Sequence, residues 1–100
     1  MNRETPALLW KELPNPRGVF DPPVREERTV FGRLRSVGYR ERYEAMAHGL
    51  KPELVLALMH DFEYKDESMC RISGVDYRIL RTYRTEADGI ELTLEREVTA

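Results

Sequence analysis

Alternation of apolar and polar residues dominates three segments of the chain. Residues 7–13 form a short apolar run around Trp10, residues 28–37 alternate after a β-branched start, and residues 90–98 alternate throughout. A period of two is typical of strands with one buried face. These segments are therefore predicted to be strands, and in the second of them Gly32 indicates a bend or a bulge.

Three further strands are predicted in the second half of the chain. Residues 53–60 are apolar on both faces and follow a proline, which favours a central strand, although their Leu, Ala and Met residues would also suit a helix. Residues 69–73 and 76–83 are predicted to form a hairpin. Residues 61–68 between them and the central strand are polar and acidic, and are predicted to be a loop.

A change of period predicts one helix at about residues 39–48. Tyr39, Tyr43 and Met46 recur there at helical spacing and share one face. Ser36 is the candidate N-cap. Gly49 is placed to end the helix in the left-handed conformation, because glycine adopts it without steric cost.

Residues 14–23 contain four prolines and one glycine, and are predicted to form an exposed loop. Val19 and Phe20 lie in its middle. They are interpreted either as a lid over the core or as an anchor for a partner.

Together these elements predict a mainly β fold. It is a small antiparallel β-barrel or sandwich of about six strands, with one α-helix inserted between the second and third strands, because such sets hide their edges by closing. A chain of 100 residues and 11.8 kDa forms one domain. That domain spans residues 1–100, with the proline-rich loop at 14–23 and the helix with its exit loop at 39–52.

The net charge of −2 conceals an uneven distribution. Thirteen of the sixteen basic residues are arginines, which suit interfaces because their planar guanidinium binds carboxylates through two bonds. Residues 28–42 are basic, whereas residues 61–67 and 86–97 are acidic. These segments are interpreted as solvated faces, as partners of one another within the chain, or as partners in neighbouring copies.

No arrangement of reactive side chains indicates an enzyme, and no cofactor is expected. Cys70 is expected to be a buried structural thiol. His48 and His60 with Asp61 or Glu63 would offer metal ligands, but their spacing matches no ligand motif. No apolar run approaches the roughly 18 residues of a membrane span, and the N-terminus lacks the features of a signal peptide.

Binding of single-stranded nucleic acid is an alternative function. Small barrels bind single strands by combining a basic groove with stacking aromatic rings. Arg78, Arg81 and Arg84 interleave here with Tyr77 and Tyr83. The alternation places both tyrosines in the core, however, and the acidic C-terminal segment would repel phosphates.

Residues 28–53 read RTVFGRLRSVGYRERYEAMAHGLKPE, in which a strand leads into the helix and then into Gly-Leu-Lys-Pro-Glu. Later, YRILRTY is followed by ELTLER. This combination, over about residues 31–96, resembles the head-closure (head-tail joining, or stopper) proteins of tailed bacteriophages and prophages. Two departures stand out: Arg42 occupies a position that is usually aromatic in that family, and residues 14–23 replace a short hairpin. The matching positions up to the third strand are Phe31, Leu34, Ser36, Val37, Glu41, Tyr43, Ala45, Ala47, Gly49, Leu50, Lys51, Pro52 and Glu53.

The resemblance implies a structural virion protein rather than a catalyst. Such proteins are small β-barrels that form a ring beneath the portal and its adaptor, retain the packaged double-stranded DNA, and dock the tail or a tail-terminator protein. The implied ring consists of copies of this chain and is dodecameric by analogy with the portal stack, although related tail-side rings are six-fold. The implied location is the virion neck, after synthesis in the bacterial cytoplasm and without a membrane.

Three groups of residues follow as hypotheses. The first faces the channel or a partner; the alternative for its helical members is that they form the solvated side of a helix packed through Tyr39, Tyr43 and Met46. Its members are Arg40, Arg42, His48, Lys51, Val19 and Phe20. The second group supplies charges between ring subunits, which need two complementary side surfaces: Arg33, Arg35, Asp61, Glu63 and Glu95. The third is the structural part of the family motif: Tyr43, Ala45, Ala47, Gly49, Leu50 and Pro52.

Overall fold

The computed structural model describes residues 4–18 and 20–97, which form a closed six-stranded barrel with one α-helix. All strand pairs are antiparallel, in the order β1-β2-β3-β6-β5-β4, and β4 closes the barrel against β1. This confirms the predicted barrel with one helix. The elements are β1 Thr5–Leu13, β2 Val24–Ser36, α1 Tyr39–Met46, β3 Pro52–Leu58, a 3-10 turn Asp61–Glu63, β4 Met69–Ile72, β5 Val75–Arg84 and β6 Ile90–Arg96. The predicted continuation of the last strand to Val98 lies outside the described residues.

The core fills the inside of the barrel. Alternate residues of the strands point inward, and the largest apolar side chains among them are fully buried. Strand β3 is also buried on its outer face at Val55, as predicted for a central strand. The prediction is wrong for Met59, because the strand ends at Leu58 and Met59 is 61% exposed. The buried core cluster comprises Ala7, Leu9, Val30, Leu56, Leu58, Cys70, Ile72, Tyr77, Ile90, Leu92 and Leu94.

Strand β2 changes its partner at Gly32. Up to Gly32 it pairs with β1, where Thr5 lies opposite Gly32, and from Arg33 it pairs with β3, where Ala57 lies opposite Arg33. A Cβ atom at Gly32 would lie 2.7 Å from the Ala57 carbonyl oxygen. The glycine is therefore required by the close approach of two strands, which is consistent with the predicted bend.

A β-bulge in β5 overturns one prediction. Ile79 pairs with Leu94 but Arg81 pairs with Thr93, so the register shifts between them. Because an extra residue inverts the alternation, Tyr77 is buried whereas Tyr83 is 64% exposed. The expectation that both tyrosines lie in the core is wrong for Tyr83.

The ends of α1 also differ in part from the prediction. The N-cap is Gly38 rather than Ser36, and no side chain of the described residues caps the helix. The helix ends at Met46, two residues earlier than predicted. Gly49 has a φ of 75°, and the Leu50 amide donates to the Ala45 carbonyl oxygen at 3.0 Å. This is the bonding pattern of a glycine-terminated helix, as expected at Gly49.

Candidate functional site

Helix α1 is fastened to the barrel through polar contacts. One Glu41 carboxylate oxygen, Oε1, accepts hydrogen bonds from the Thr93 hydroxyl at 2.8 Å and from the Arg81 guanidinium at 2.9 Å. Thr93 is only 6% exposed and lies between Val55 and Arg81 across the sheet. Burial disfavours the charged form of Glu41, but these bonds outweigh it and lower the pKa of Glu41 below its ordinary value.

The apolar residues of α1 point away from the barrel. Tyr39, Tyr43 and Met46 are 88%, 71% and 61% exposed. At 3.6 residues per turn they lie on the side of the helix opposite Glu41 and half-buried Ala45. The interpretation in which the helix packs through these three residues is therefore wrong. The helix contacts the barrel through its polar face, at Glu41, and its apolar face is exposed to solvent.

Basic residues flank this apolar stripe. Arg40 and Arg42 lie on its two sides and are exposed, and neither forms a salt bridge with any residue in the described ranges 4–18 and 20–97. His48 and Lys51 are exposed just beyond the helix. We call Tyr39, Arg40, Arg42, Tyr43 and Met46 the helix face.

Most arginines on the barrel strands are paired instead, Arg33 being the exception among the described residues. Carboxylates lie 2.6 Å from Arg71, 3.1 Å from Arg78 and 3.2 Å from Arg96. These exposed pairs contribute little stability individually. The basic and acidic segments themselves are joined by Arg28–Glu67 and Arg35–Glu91. Pairing within the chain was one of the three interpretations of the sequence.

The five residues proposed for charges between subunits are spread around the barrel. Arg35 binds Glu91 at 2.6 Å. The Glu63 carboxylate accepts a hydrogen bond from the His60 backbone amide, and the Glu95 carboxylate accepts one from the Lys51 backbone amide. Asp61 lies 3.9 Å from Arg84. Arg33 is exposed and makes no ion pair with another described residue.

The β1–β2 hairpin continues beyond the core as an arm. The arm comprises residues 11–18 and 20–27; Val19, one of the predicted partner residues, lies outside the described residues. Asn15 orders the loop, since its side chain donates to the Pro22 carbonyl at 2.9 Å and accepts the Arg17 amide at 2.9 Å. Phe20 is 99% exposed, so the loop is exposed as predicted and the lid interpretation is wrong for Phe20.

A buried ion pair holds the acidic loop to the barrel. Glu67 is 2% exposed. Its carboxylate accepts one hydrogen bond from Arg28 Nε at 2.7 Å and another from the Lys65 backbone amide at 2.7 Å. Burial opposes its ionisation, but these bonds outweigh burial and hold the pKa of Glu67 below its ordinary value. The sequence does not distinguish Glu67 from the neighbouring acids, because the pair joins residues 39 positions apart.

Within the part of the chain that the structure describes, Cys70 and the histidines do not belong to an activated or metal-binding group. Burial, with a smaller contribution from Asp76, raises the pKa of Cys70 to about 12, so its thiol is not activated. His60 stacks on Phe62, with ring centroids 4.9 Å apart. Residues 4–18 and 20–97 contain no cluster of three or more side chains suited to a metal ion.

The remaining positions of the family motif have mixed environments. Pro52 is buried and Ala45 is half-buried, whereas Ala47 and Leu50 are exposed.

None of the helices described here has both the length and the apolar character of a membrane span. A scan against models of known protein families and a search of curated proteins both found no match to the chain.

Proposed function

We propose that the protein is a head-closure subunit of a tailed phage or prophage: a ring-forming component of the virion neck that retains packaged DNA and docks the tail. The observation that carries the proposal is the helix face, a surface built for a partner rather than for the core. The sequence resemblance over residues 31–96 and the small barrel with its inserted helix are consistent with this role.

The composition of the helix face supports docking. Tyrosine, methionine and arginine are enriched in the centres of protein interfaces, and lysine and glutamate are depleted there. Leaving Tyr39, Tyr43 and Met46 in water forgoes the free energy that burial would provide. Since Glu41 holds the helix in place, the exposed stripe can be covered by a partner without any change in the barrel.

The unpaired charges indicate the chemistry of that partner. Arg40 and Arg42 would meet acidic side chains of the adaptor or tail protein, or phosphates of DNA in the channel. Single-stranded nucleic-acid binding has less support, because Tyr77 is buried, which leaves Tyr83 as the one exposed ring of that pair. Arg78 and Arg81 are also bound to carboxylates. A stacking groove needs such rings and charges to be free.

An assembly experiment tests the proposal. DNA-filled, tailless heads that carry portal and adaptor are mixed with the purified protein, then assayed for bound protein by sedimentation and for DNA leakage by nuclease. We expect a ring at the portal vertex in cryo-electron micrographs and slower leakage. Folded protein that does not bind heads of its own phage would overturn the proposal.

A charge-reversal variant localises the contact. We expect Arg40→Glu/Arg42→Glu to melt at nearly the wild-type temperature but to bind heads at least tenfold more weakly, because two charges that pair only with the partner are reversed. The matched control is Lys65→Glu/Arg96→Glu, which reverses two exposed charges outside the helix face. Wild-type binding by the first variant, or equal loss in both variants, would contradict the assignment to the helix face.

A further inference from the structure

The arm and a cavity at the opposite end of the same hairpin form a complementary pair. We infer that Phe20 of one copy docks in the cavity of a second copy, so that the chain associates head to tail. The inference deepens the proposed function, on which it rests, because it names the contact between ring subunits.

We call the exposed apolar side chain of Phe20, near the tip of the arm, the knob. Its ring is 99% exposed, and its loop is ordered by the two hydrogen bonds of Asn15. At the base of the arm, the Arg25 guanidinium carbon lies 4.6 Å from the centroid of the buried Trp10 ring. An aromatic side chain on an ordered support loses little conformational entropy on binding, which favours its use as an anchor.

The cavity is a largely apolar hollow of about 300 Å³ in the barrel wall. Its walls come from β2, from β3 and the residue that follows it, from the β5–β6 turn with the start of β6, and from Glu4 just before β1. This volume is at the lower end of the range for small-molecule pockets, which suits a single aromatic side chain. Gly32 lies at the point where β2 changes partner. The apolar side chains of the lining are Phe31, Ala57, Leu58, Met59, Ala87 and Ile90.

Phe20 cannot reach the cavity of its own chain. Gly32 lines the cavity, whereas Val24, eight residues earlier on β2, begins the strand at the arm. At the rise of an extended strand these two residues are about 25 Å apart. The cavity can therefore receive Phe20 only from another copy. A contact between different surfaces of identical chains is heterologous, and it produces a closed ring or an open filament.

Charges beside the knob complement those at the rim of the cavity. Asp21 follows Phe20, and Arg17 lies on the other side of it. Arg33, at the rim, has no ion-pair partner among the described residues, and Glu4 lies at the same rim. Docking would pair Asp21 with Arg33 and Arg17 with Glu4 in one orientation.

Photocrosslinking tests this contact. The photoreactive residue p-benzoylphenylalanine replaces Phe20, and the full-length protein is irradiated both at high concentration and on DNA-filled heads. We expect covalent dimers and higher species, with adducts on the peptide that contains Met59. A mixture of isotopically light and heavy protein identifies adducts between copies. The matched control carries the same residue in place of Phe62, which is 68% exposed but stacked on His60.

Substitutions measure the contributions of the knob and the charges. We expect Phe20→Ser to weaken self-association about thirtyfold, the effect of removing a hot-spot side chain, whereas Phe62→Ser leaves it unchanged. Asp21→Arg and Arg33→Asp should each weaken it, and the double variant should restore it.

The outcomes separate this inference from the proposed function. A protein that seats on heads without adducts in the cavity peptide would overturn the inference and leave the function standing. Adducts in that peptide without attachment to heads would support the contact and remove the proposed function. Crosslinks that join Phe20 positions to each other would indicate a symmetric contact and overturn the head-to-tail arrangement.

Discussion

The barrel and the helix differ in which side chains they bury and in which charges they pair. In the barrel, apolar side chains such as Leu56 are fully buried, and exposed arginines such as Arg71 are paired with carboxylates. In the helix, Glu41 faces the barrel, while Tyr43 and Arg42, which has no ion-pair partner among the described residues, face solvent. The barrel thus buries most of its large apolar side chains and pairs most of its charges within the chain, whereas the helix leaves both kinds of side chain exposed.

The largest expected difference concerns core volume. Leu56→Ala should lower the free energy of unfolding by about 3–4 kcal/mol, because it leaves a cavity in a fully buried site. Met46→Ala removes a comparable side chain from the helix face and should change stability by less than about 0.5 kcal/mol. Urea denaturation measures both. A large loss of unfolding free energy for Met46→Ala would mean that the helix face is packed in solution. It would contradict the contrast between a buried core and an exposed helix face.

The buried ion pair should have the next largest effect. Arg28→Met should cost about 3 kcal/mol, because it leaves the Glu67 carboxylate buried and uncompensated. Arg33→Met, an exposed neighbour on the same strand, is the control.

The same pair predicts a pH dependence. Since the folded-state pKa of Glu67 is held below its ordinary value of 4.5, its contribution is complete above about pH 4.5. It is lost as the pH falls through the folded pKa. The difference in stability between wild type and Arg28→Met should therefore narrow in acid, as thermal melts across pH 3–7 would show. A constant difference would refute the assignment.

The polar anchor of the helix should have the smallest effect. Glu41→Gln weakens the bonds to Thr93 and Arg81 and should cost about 1–2 kcal/mol. Glu44→Gln changes an exposed carboxylate and should be nearly neutral. Faster amide exchange confined to α1 in the first variant would show that Glu41 fastens the helix. If both variants exchange alike, other contacts hold the helix.

The barrel was predictable because strand alternation is a local signal. The run of residues 53–60, apolar on both faces, identified the central strand, and the period of residues 90–98 identified the last one. A closed barrel follows from the need to hide strand edges. Its strand order depends on pairings between distant residues, which alternation alone does not contain.

The docking surfaces were harder to predict. The spacing of Tyr39, Tyr43 and Met46 defines a face but not its direction, and the polar bonds of Glu41 decide that direction. The bulge between Ile79 and Arg81 turns Tyr83 from the core to the surface. The pattern of apolar and polar residues in this strand does not indicate the bulge. The exposed loop was predictable from its prolines, whereas the cavity opposite it is built from three strands and appears only in the folded chain.

Strand β2 joins the two surfaces mechanically. It runs without interruption for 13 residues from the arm to Ser36, three residues before the helix begins at Tyr39. Tension applied at Phe20 would therefore travel along one covalently continuous, hydrogen-bonded ribbon to the base of the helix. A force that a neighbour applies to the arm would therefore reach, through β2, the helix on which a partner is bound.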